Sequence, residues 1–179
     1  MKSIYLLQMH SHTLPSKLIK VFTGYPYSHV GLALEKNCDV IYSFGRRKVH
    51  SILNGGFTAE RKDGAFFSCF DKTVCRIFEM EVTDEQYDRL KTTVDGMLVC
   101  QDDYRYDMLG ILPRMLGIPF SRKNRYVCSY FVADMLEMAD VYRFDKSTCF
   151  IKPRDFENLE NMNEIYNGFY REYESVAVE

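Results

Sequence analysis

The chain has 179 residues, of which 46% are hydrophobic and 27% charged, enough for one globular domain whose core needs neither disulfides nor a structural metal. The formal net charge is −2, from 23 basic and 25 acidic residues, so composition gives no support for nucleic-acid binding. No apolar run approaches the roughly 18 residues of a membrane span, and the N-terminal apolar run is too short for a secretory signal. We therefore expect a cytoplasmic protein without stable membrane insertion; the sequence leaves its oligomeric state unknown.

The cysteine and histidine spacings do not predict a metal site. The six cysteines, at positions 38, 69, 75, 100, 128 and 149, show no CxxC spacing, which is typical of reduced thiols rather than of a zinc ribbon or a disulfide framework. His10 and His12 could place two imidazoles on one strand face, but no Asp, Glu or Cys pattern nearby completes a zinc site. We expect no metal and no organic cofactor.

The first half of the chain shows strand patterns. Segments 3–9, 28–35, 39–46 and 73–82 are predicted strands, and the short polar turn between the second and third predicts an antiparallel hairpin. Segment 16–24 is a predicted short helix, and segment 50–64, with its Asn-Gly-Gly sequence, is a predicted loop.

The second half shows helical patterns. Thr83 and Gln86 form a capping-box pattern that opens a helix over 84–100, and segment 104–117 is helix-like, with Pro113 expected to kink or split it. A further helix begins near Ser121 or Asn124 and carries Cys128 in its first turn, and the polar, aromatic tail predicts one short helix. Together the patterns predict an α+β fold: an antiparallel sheet of about five or six strands, with the Cys128 helix packed on one face.

A cysteine at a helix start suggests a nucleophile. Unpaired backbone N–H groups and the helix dipole favour the thiolate there, and an adjacent imidazole would activate it further. His29 is the obvious partner, since it shares a strand face with two small residues, Gly31 and Ala33, which leave room for a close-packed helix. If the Cys128 helix lies across that face, thiol and imidazole can meet. Taken alone, each residue has a simpler interpretation, a buried small hydrophobe for Cys128 and a packed or capping histidine for His29.

The two motifs together resemble a known family. "SHVGLAL", followed much later by "YVCSYFVADML", resembles the circularly permuted papain-like branch of the NlpC/P60 superfamily, the YiiX-like branch, in which the histidine hairpin precedes the cysteine helix. The resemblance covers about residues 3–155, including "YDMLGIL" and "IKPRDF". It implies a single permuted domain over residues 1–179, with residues 156–179 as a C-terminal extension.

The resemblance implies a thiol hydrolase or acyltransferase with Cys128 as nucleophile and His29 as general base. In such families a third polar residue on the next strand orients the imidazole, and counting along the hairpin gives Ser43 that position. A one-residue change of register would present Tyr42 instead. Glu60 is an outside candidate if its loop folds back.

The remaining site residues are expected around the nucleophile. The backbone N–H of Cys128 can hold the oxyanion, with Tyr126 or Tyr27 as a possible second donor. Tyr27 and Tyr130, with Tyr25 and Phe120, could line a substrate cleft, although core or rim packing explains these aromatics equally simply.

Three functions follow from these residues. The leading one is a cysteine amidase or peptidase that acts through an acyl-thioester on a small peptide-like or peptidoglycan-fragment-like amide. The same Cys-His pair could instead act as a hydrolase or acyltransferase on a lipid or thioester, since the second half is rich in aromatics and Met. A catalytically silent binding module with the same fold is the third possibility, because a serine is a weak third residue.

Overall fold

The structure, a computed structural model, describes residues 1–11, 24–48 and 54–174. The predicted helix over 16–24 lies outside these ranges except for Gly24, as does His12 of the possible zinc pair.

The fold is built on one six-stranded antiparallel sheet, in the order β4-β3-β2-β1-β5-β8. Its strands are β1 (Lys2–His10), β2 (His29–Ala33), β3 (Val40–Arg46), β4 (Gly55–Arg61), β5 (Val74–Val82) and β8 (Met162–Phe169). A short parallel pair, β6 (Arg105–Tyr106) and β7 (Arg125–Tyr126), lies apart from the sheet. The sheet, and the α+β class, agree with the sequence prediction.

Four α-helices lie in the described ranges: α1 (Ala65–Cys69), α2 (Asp84–Val99), α3 (Met108–Met115) and α4 (Cys128–Met138). Short 3-10 turns occupy Gln101–Asp103, Thr148–Phe150, Pro153–Asn158 and Tyr170–Glu172. The capping box predicted at the start of α2 is present, and α3 continues through Pro113 without splitting.

The sheet has a core on each side. The larger core joins even-numbered residues of β1 and β2 to α4; its members include Ile4, Leu6, Val30, Leu32, Phe44, Phe131, Val132 and Leu136. The smaller core joins the opposite face to α1 and the chain end; its members include Leu7, Ala33, Ile41, Phe67, Tyr170 and Tyr173. Helix α4 therefore covers the face of Val30 and Leu32.

This arrangement corrects one sequence expectation. Gly31 and Ala33 were expected to make room for the Cys128 helix, but they lie on the face opposite α4. His29 shares their face, so the helix does not lie across the imidazole as expected. A Cβ at Gly31 would clash with Cγ2 of Ile41 on the neighbouring strand. The glycine thus makes room for a side chain of the same sheet, because alternate residues of a strand point to opposite faces.

Two secondary-structure predictions were wrong for related reasons. Residues 55–61 form the edge strand β4, not a loop, and Phe57 on that strand is fully buried. A Cβ at Gly55 would lie 2.8 Å from the Cβ of Tyr106, so this glycine allows close packing rather than forming a turn. The tail was expected to be helical, yet it supplies edge strand β8, while Phe156 lies in the larger core.

Candidate functional site

Helix α4 begins at Cys128, which confirms that this residue lies in the first turn, but the N-cap is the extended residue Val127 and not Ser121 or Asn124 as predicted. Cys128 is only 5% exposed. Burial raises the pKa of its thiol, while the backbone N–H groups of Val30, Ser129 and Cys128 itself act in the opposite direction. The resting thiol is therefore neutral, but it lies among N–H donors that stabilise negative charge at this position.

His29 begins β2, and its orientation is set by Ser43. The Ser43 hydroxyl donates to the carbonyl oxygen of Val30 at 2.8 Å and lies 3.0 Å from Nε2 of His29. Because the hydroxyl has only one proton, it accepts from His29, so Nε2 carries the imidazole proton and Nδ1 has a free lone pair. The hydrogen-bonding contact expected for Ser43 from the register is thus present.

The His29 ring is neutral at physiological pH. Burial, and secondarily the positive charge of Arg46, lower its pKa to about 4. The residue as a whole is still partly exposed, and its Cε1 lies 3.8 Å from where a Cβ on Gly45 would stand. A neutral imidazole with an unprotonated Nδ1 can accept a proton.

The thiol and the imidazole lie on opposite faces of β2. Among the described residues no hydrogen bond joins the Cys128 thiol to the His29 ring. The backbone of β2 lies between them, and the N–H of Val30, the residue after His29, lowers the pKa of the Cys128 thiol. Catalytic hydrogen bonds are often long in free enzymes and shorten only when substrate binds.

Two alternatives for the third residue lie elsewhere. Tyr42 is paired with Leu32, so it lies on the α4 face of the sheet, where its ring stacks on Phe57 at 6.5 Å. Glu60 lies opposite Ile41 on edge strand β4, and burial raises its pKa. In the described part of the chain, Glu60 makes no hydrogen bond or ion pair with His29.

The aromatic residues expected near the site have other contacts. The Tyr126 hydroxyl donates to Asp134 at 3.1 Å, so its single proton is not available for an oxyanion at Cys128. Tyr27 packs against Tyr25 and lies 6.0 Å from the guanidinium of Arg76. Tyr130 packs on Tyr126, with ring centroids 4.7 Å apart. The structure does not bring Tyr27 and Tyr130 into ring contact with each other.

A buried ion-pair group, which sequence analysis missed, holds α3 beside the nucleophile. Asp107 is fully buried and forms ion pairs with Arg114 and Arg122. Its backbone N–H donates to the carbonyl oxygen of Tyr126 at 2.9 Å, extending the pairing of β6 with β7. The chain leading into Cys128 is thereby joined to the start of α3. The available signal was an acidic residue directly before an apolar helix, followed by two arginines.

Buried polar residues also fix the other side of α4. Gln8 is fully buried on β1, donates to the carbonyl oxygen of Pro153 at 2.6 Å and accepts from the Tyr25 hydroxyl at 2.8 Å. Ser129, next to Cys128, donates to the carbonyl oxygen of Ile151 at 2.6 Å. The segment 151–153 thus connects the first turn of α4 to the sheet.

The fold has a counterpart among solved structures. A crystal structure described as that of the metalloprotein YiiX from Escherichia coli O157:H7 matches this chain with a TM-score of 0.57 at 14% sequence identity. The match covers 94% of this chain and 98% of the other. No family model and no curated protein matches the sequence. At this identity the similarity shows a shared fold, and this chain has a YiiX-like α+β fold.

Proposed function

We propose that the protein is a cysteine-dependent amidase or peptidase of the permuted papain-like type. The observation that carries the proposal is the position of Cys128, the first residue of α4, among the N–H groups of Val30, Ser129 and its own backbone. His29 and Ser43, on the adjacent hairpin, supply an imidazole with a defined tautomer. The YiiX-like fold and the order of the histidine and cysteine motifs support the same assignment.

The proposed reaction begins with a neutral pair. His29 and Cys128 lie on opposite faces of β2 in the structure, so the proposed reaction requires the imidazole, at the first residue of that strand, to move to the Cys128 side as the substrate binds. Nδ1 of His29 then takes the thiol proton and the Cys128 sulfur attacks the amide carbonyl carbon. Backbone N–H groups at the start of α4 hold the oxyanion of the tetrahedral intermediate. The C–N bond then breaks, the leaving amine takes the proton from His29, and an acyl-thioester remains on Cys128. Water, deprotonated by His29, attacks the thioester, releasing the acid and restoring the thiol.

Ser43 acts as a positioning residue in this scheme. A hydroxyl that accepts from Nε2–H selects the useful tautomer, as the carboxylate or amide of other Cys-His enzymes does. Unlike a carboxylate, it adds no negative charge to stabilise the imidazolium. Burial, and secondarily Arg46, lower the pKa of His29 with no carboxylate to offset them, which favours general-base transfer over a resting thiolate-imidazolium pair.

The described residues do not fit a metal-dependent mechanism. Although the YiiX structure is described as a metalloprotein, no group of three or more His, Cys, Asp or Glu side chains in the described ranges could hold a metal ion. The proposed reaction uses protein side chains and backbone groups alone.

The proposal can be tested without knowing the substrate. We expect iodoacetamide at pH 7 to alkylate Cys128 at least about tenfold more slowly in His29→Gln than in the wild type, because the variant lacks the base. Cys149, also buried at 6% exposure, is the matched control and should react at the same rate in both proteins. Equal alkylation rates at Cys128 in both proteins would contradict the Cys-His pair.

A second candidate substrate class is a lipid ester or thioester, handled by the same residues. It is favoured by the apolar helix α3, which begins at Met108, two residues after Tyr106. The pKa of Tyr106 is raised by burial and by the nearby Cys128. A panel of γ-glutamyl and short-peptide p-nitroanilides and of acyl p-nitrophenyl esters separates the two classes. Turnover of amides alone would exclude the lipid class, and Cys128→Ala should abolish whichever turnover is found while Cys149→Ala retains it.

A further inference from the structure

An apolar surface lies on α3 and the turn after it. Among the described residues, six of the ten exposed large hydrophobic side chains are here, each 49% to 70% exposed. This group, the α3 patch, comprises Met108, Leu109, Leu112, Met115, Leu116 and Ile118. Exposed apolar side chains are usually scattered singly on a protein surface, whereas a contiguous group marks an interaction site.

Ion pairs to Asp107, the N-cap of α3, rather than apolar packing hold this helix in place. Gly110 is its only buried residue. The Asp107 carboxylate at its start pairs with Arg114 within the helix and with Arg122 beyond it, and Arg114 also donates to the carbonyl oxygen of Phe120 at 3.0 Å. Polar contacts therefore fix α3 while its large apolar side chains point to solvent.

The segment that carries the patch is rich in basic residues, and two exposed aspartates, Asp102 and Asp103, directly precede it. Residues 104–125 contain five basic residues and one acidic residue, a local charge of +4, in a chain whose net charge is −2. The one acidic residue, Asp107, is buried between two of the arginines, and Lys123 is exposed. Apolar side chains flanked by cations are typical of segments that lie on anionic lipid.

We infer that the α3 patch docks on an anionic lipid surface, with its apolar side chains entering the interface and the exposed Lys123 facing the headgroups. Pairing with a second copy is disfavoured, because a two-fold contact would place one +4 segment against another. No helix in the described ranges is long and apolar enough to cross a membrane, so the contact is peripheral. This inference goes beyond the proposed hydrolase function and does not depend on it.

Docking would also orient the candidate site. The β6–β7 pairing connects the start of α3 to the chain entering Cys128, and the Arg114 guanidinium lies 5.4 Å from the Tyr130 ring in the first turn of α4. A lipid surface at the α3 patch therefore lies on the same side of the molecule as the start of α4.

The experiment is co-sedimentation of the full chain with phosphatidylcholine vesicles containing 30% phosphatidylglycerol or none. We expect binding to the anionic vesicles, weakened by salt. Leu109→Ser with Leu112→Ser should weaken it about tenfold or more, through lost apolar burial. Lys123→Glu should weaken it by roughly thirtyfold, since the substitution removes one positive charge and adds one negative charge beside the anionic surface.

Matched controls separate the patch from general surface effects. Val99→Ser with Met138→Ser removes two exposed hydrophobics elsewhere, at 87% and 57% exposure, and Lys36→Glu makes the same charge change at another exposed lysine. These controls and Cys128→Ala should bind as the wild type does, so loss of the nucleophile is distinguishable from loss of docking. Absence of wild-type sedimentation, or wild-type binding by the double Leu variant, would overturn the inference. So would a concentration-dependent dimer that the double Leu variant abolishes, because the occupant would then be a second copy.

Discussion

The two faces of β2 differ in what they pack and what they carry. Val30 and Leu32 lie under α4 in the larger core, which also holds Cys128. His29 and Gly31 face the other way, beside the Ser43 hydroxyl and a smaller core of aromatic and sulfur-containing side chains. The candidate nucleophile and the candidate base thus belong to opposite layers of the molecule.

This difference shows how a single strand can hold two groups in place. Each face of β2 is fixed by its own core, so the backbone between His29 and Val30 has little freedom to shift. The Val30 N–H favours the thiolate form of Cys128. The Val30 carbonyl oxygen accepts a hydrogen bond from the Ser43 hydroxyl, which in turn accepts one from the His29 imidazole. One residue's backbone therefore connects both layers. The two faces of β2 should therefore respond differently to substitutions and to pH.

The largest expected effect is on the α4 face. Phe131 is fully buried there, and Phe131→Ala should lower the free energy of unfolding by about 3–5 kcal/mol, through lost burial and the cavity left behind. Met138, at the end of the same helix and 57% exposed, is the control, and Met138→Ala should change the free energy of unfolding by less than about 0.5 kcal/mol. Urea denaturation measures both; similar values for the two variants would mean that α4 is not packed as described.

The His29 face should make stability depend on pH. The pKa of His29 is about 4 in the folded protein and 6.5 without burial, so the unfolded chain binds the additional proton between these values. The stabilisation is fully present above pH 6.5 and is lost as the pH falls toward 4, by roughly 2–3 kcal/mol. Subtracting the His29→Gln unfolding curve isolates this contribution from the carboxyl groups that titrate in the same range. Parallel curves for the two proteins would show that His29 is not buried in its neutral form.

The close approach on the His29 face gives the next effect. Gly31→Ala should destabilise the protein by about 1–3 kcal/mol, because the new methyl group meets Cγ2 of Ile41. Combining it with Ile41→Ala should cost less than the sum of the two single changes, since the clash is then absent. Gly96→Ala, on α2 with open space around it, is the control and should stabilise by about 0.5–1 kcal/mol. Strict additivity of Gly31→Ala and Ile41→Ala would contradict the described register.

The smallest effect concerns the Ser43 contact. Ser43→Asp places a carboxylate against Nε2 of His29 and should raise the pKa of the imidazole by about one unit or more, because it favours the charged form. Thr58, opposite Ser43, contacts only the carbonyl oxygen of Ser43, at 3.3 Å, so Thr58→Val should leave that pKa unchanged. Titration of the His29 ring by NMR measures both. An unchanged pKa in Ser43→Asp would show that residue 43 does not contact the ring in solution.

Local patterns predicted the elements whose signals are complete within one segment. The alternation in β1, β2, β3 and β5, the capping box of α2 and the apolar stripe of α4 each depend on residues a few positions apart. The placement of Cys128 in the first turn of a helix and of Ser43 on the strand next to His29 followed from the same short-range counting. The predictions failed where glycine or polar residues were used for packing, as at Gly55 in β4 and in the polar tail that forms β8.

Local patterns were enough to place Cys128 in the first turn of a helix, His29 near the start of a strand and Ser43 on the next strand of a hairpin, since hydrophobic period and turn chemistry are local properties. Long-range packing determines which face of β2 the helix α4 covers, and it places Ile41 rather than α4 against Gly31. It also joins Asp107, at the start of α3, to β7, the short strand that precedes Cys128. A strand's alternation gives two equivalent faces, and the choice between them depends on long-range packing that no short segment encodes.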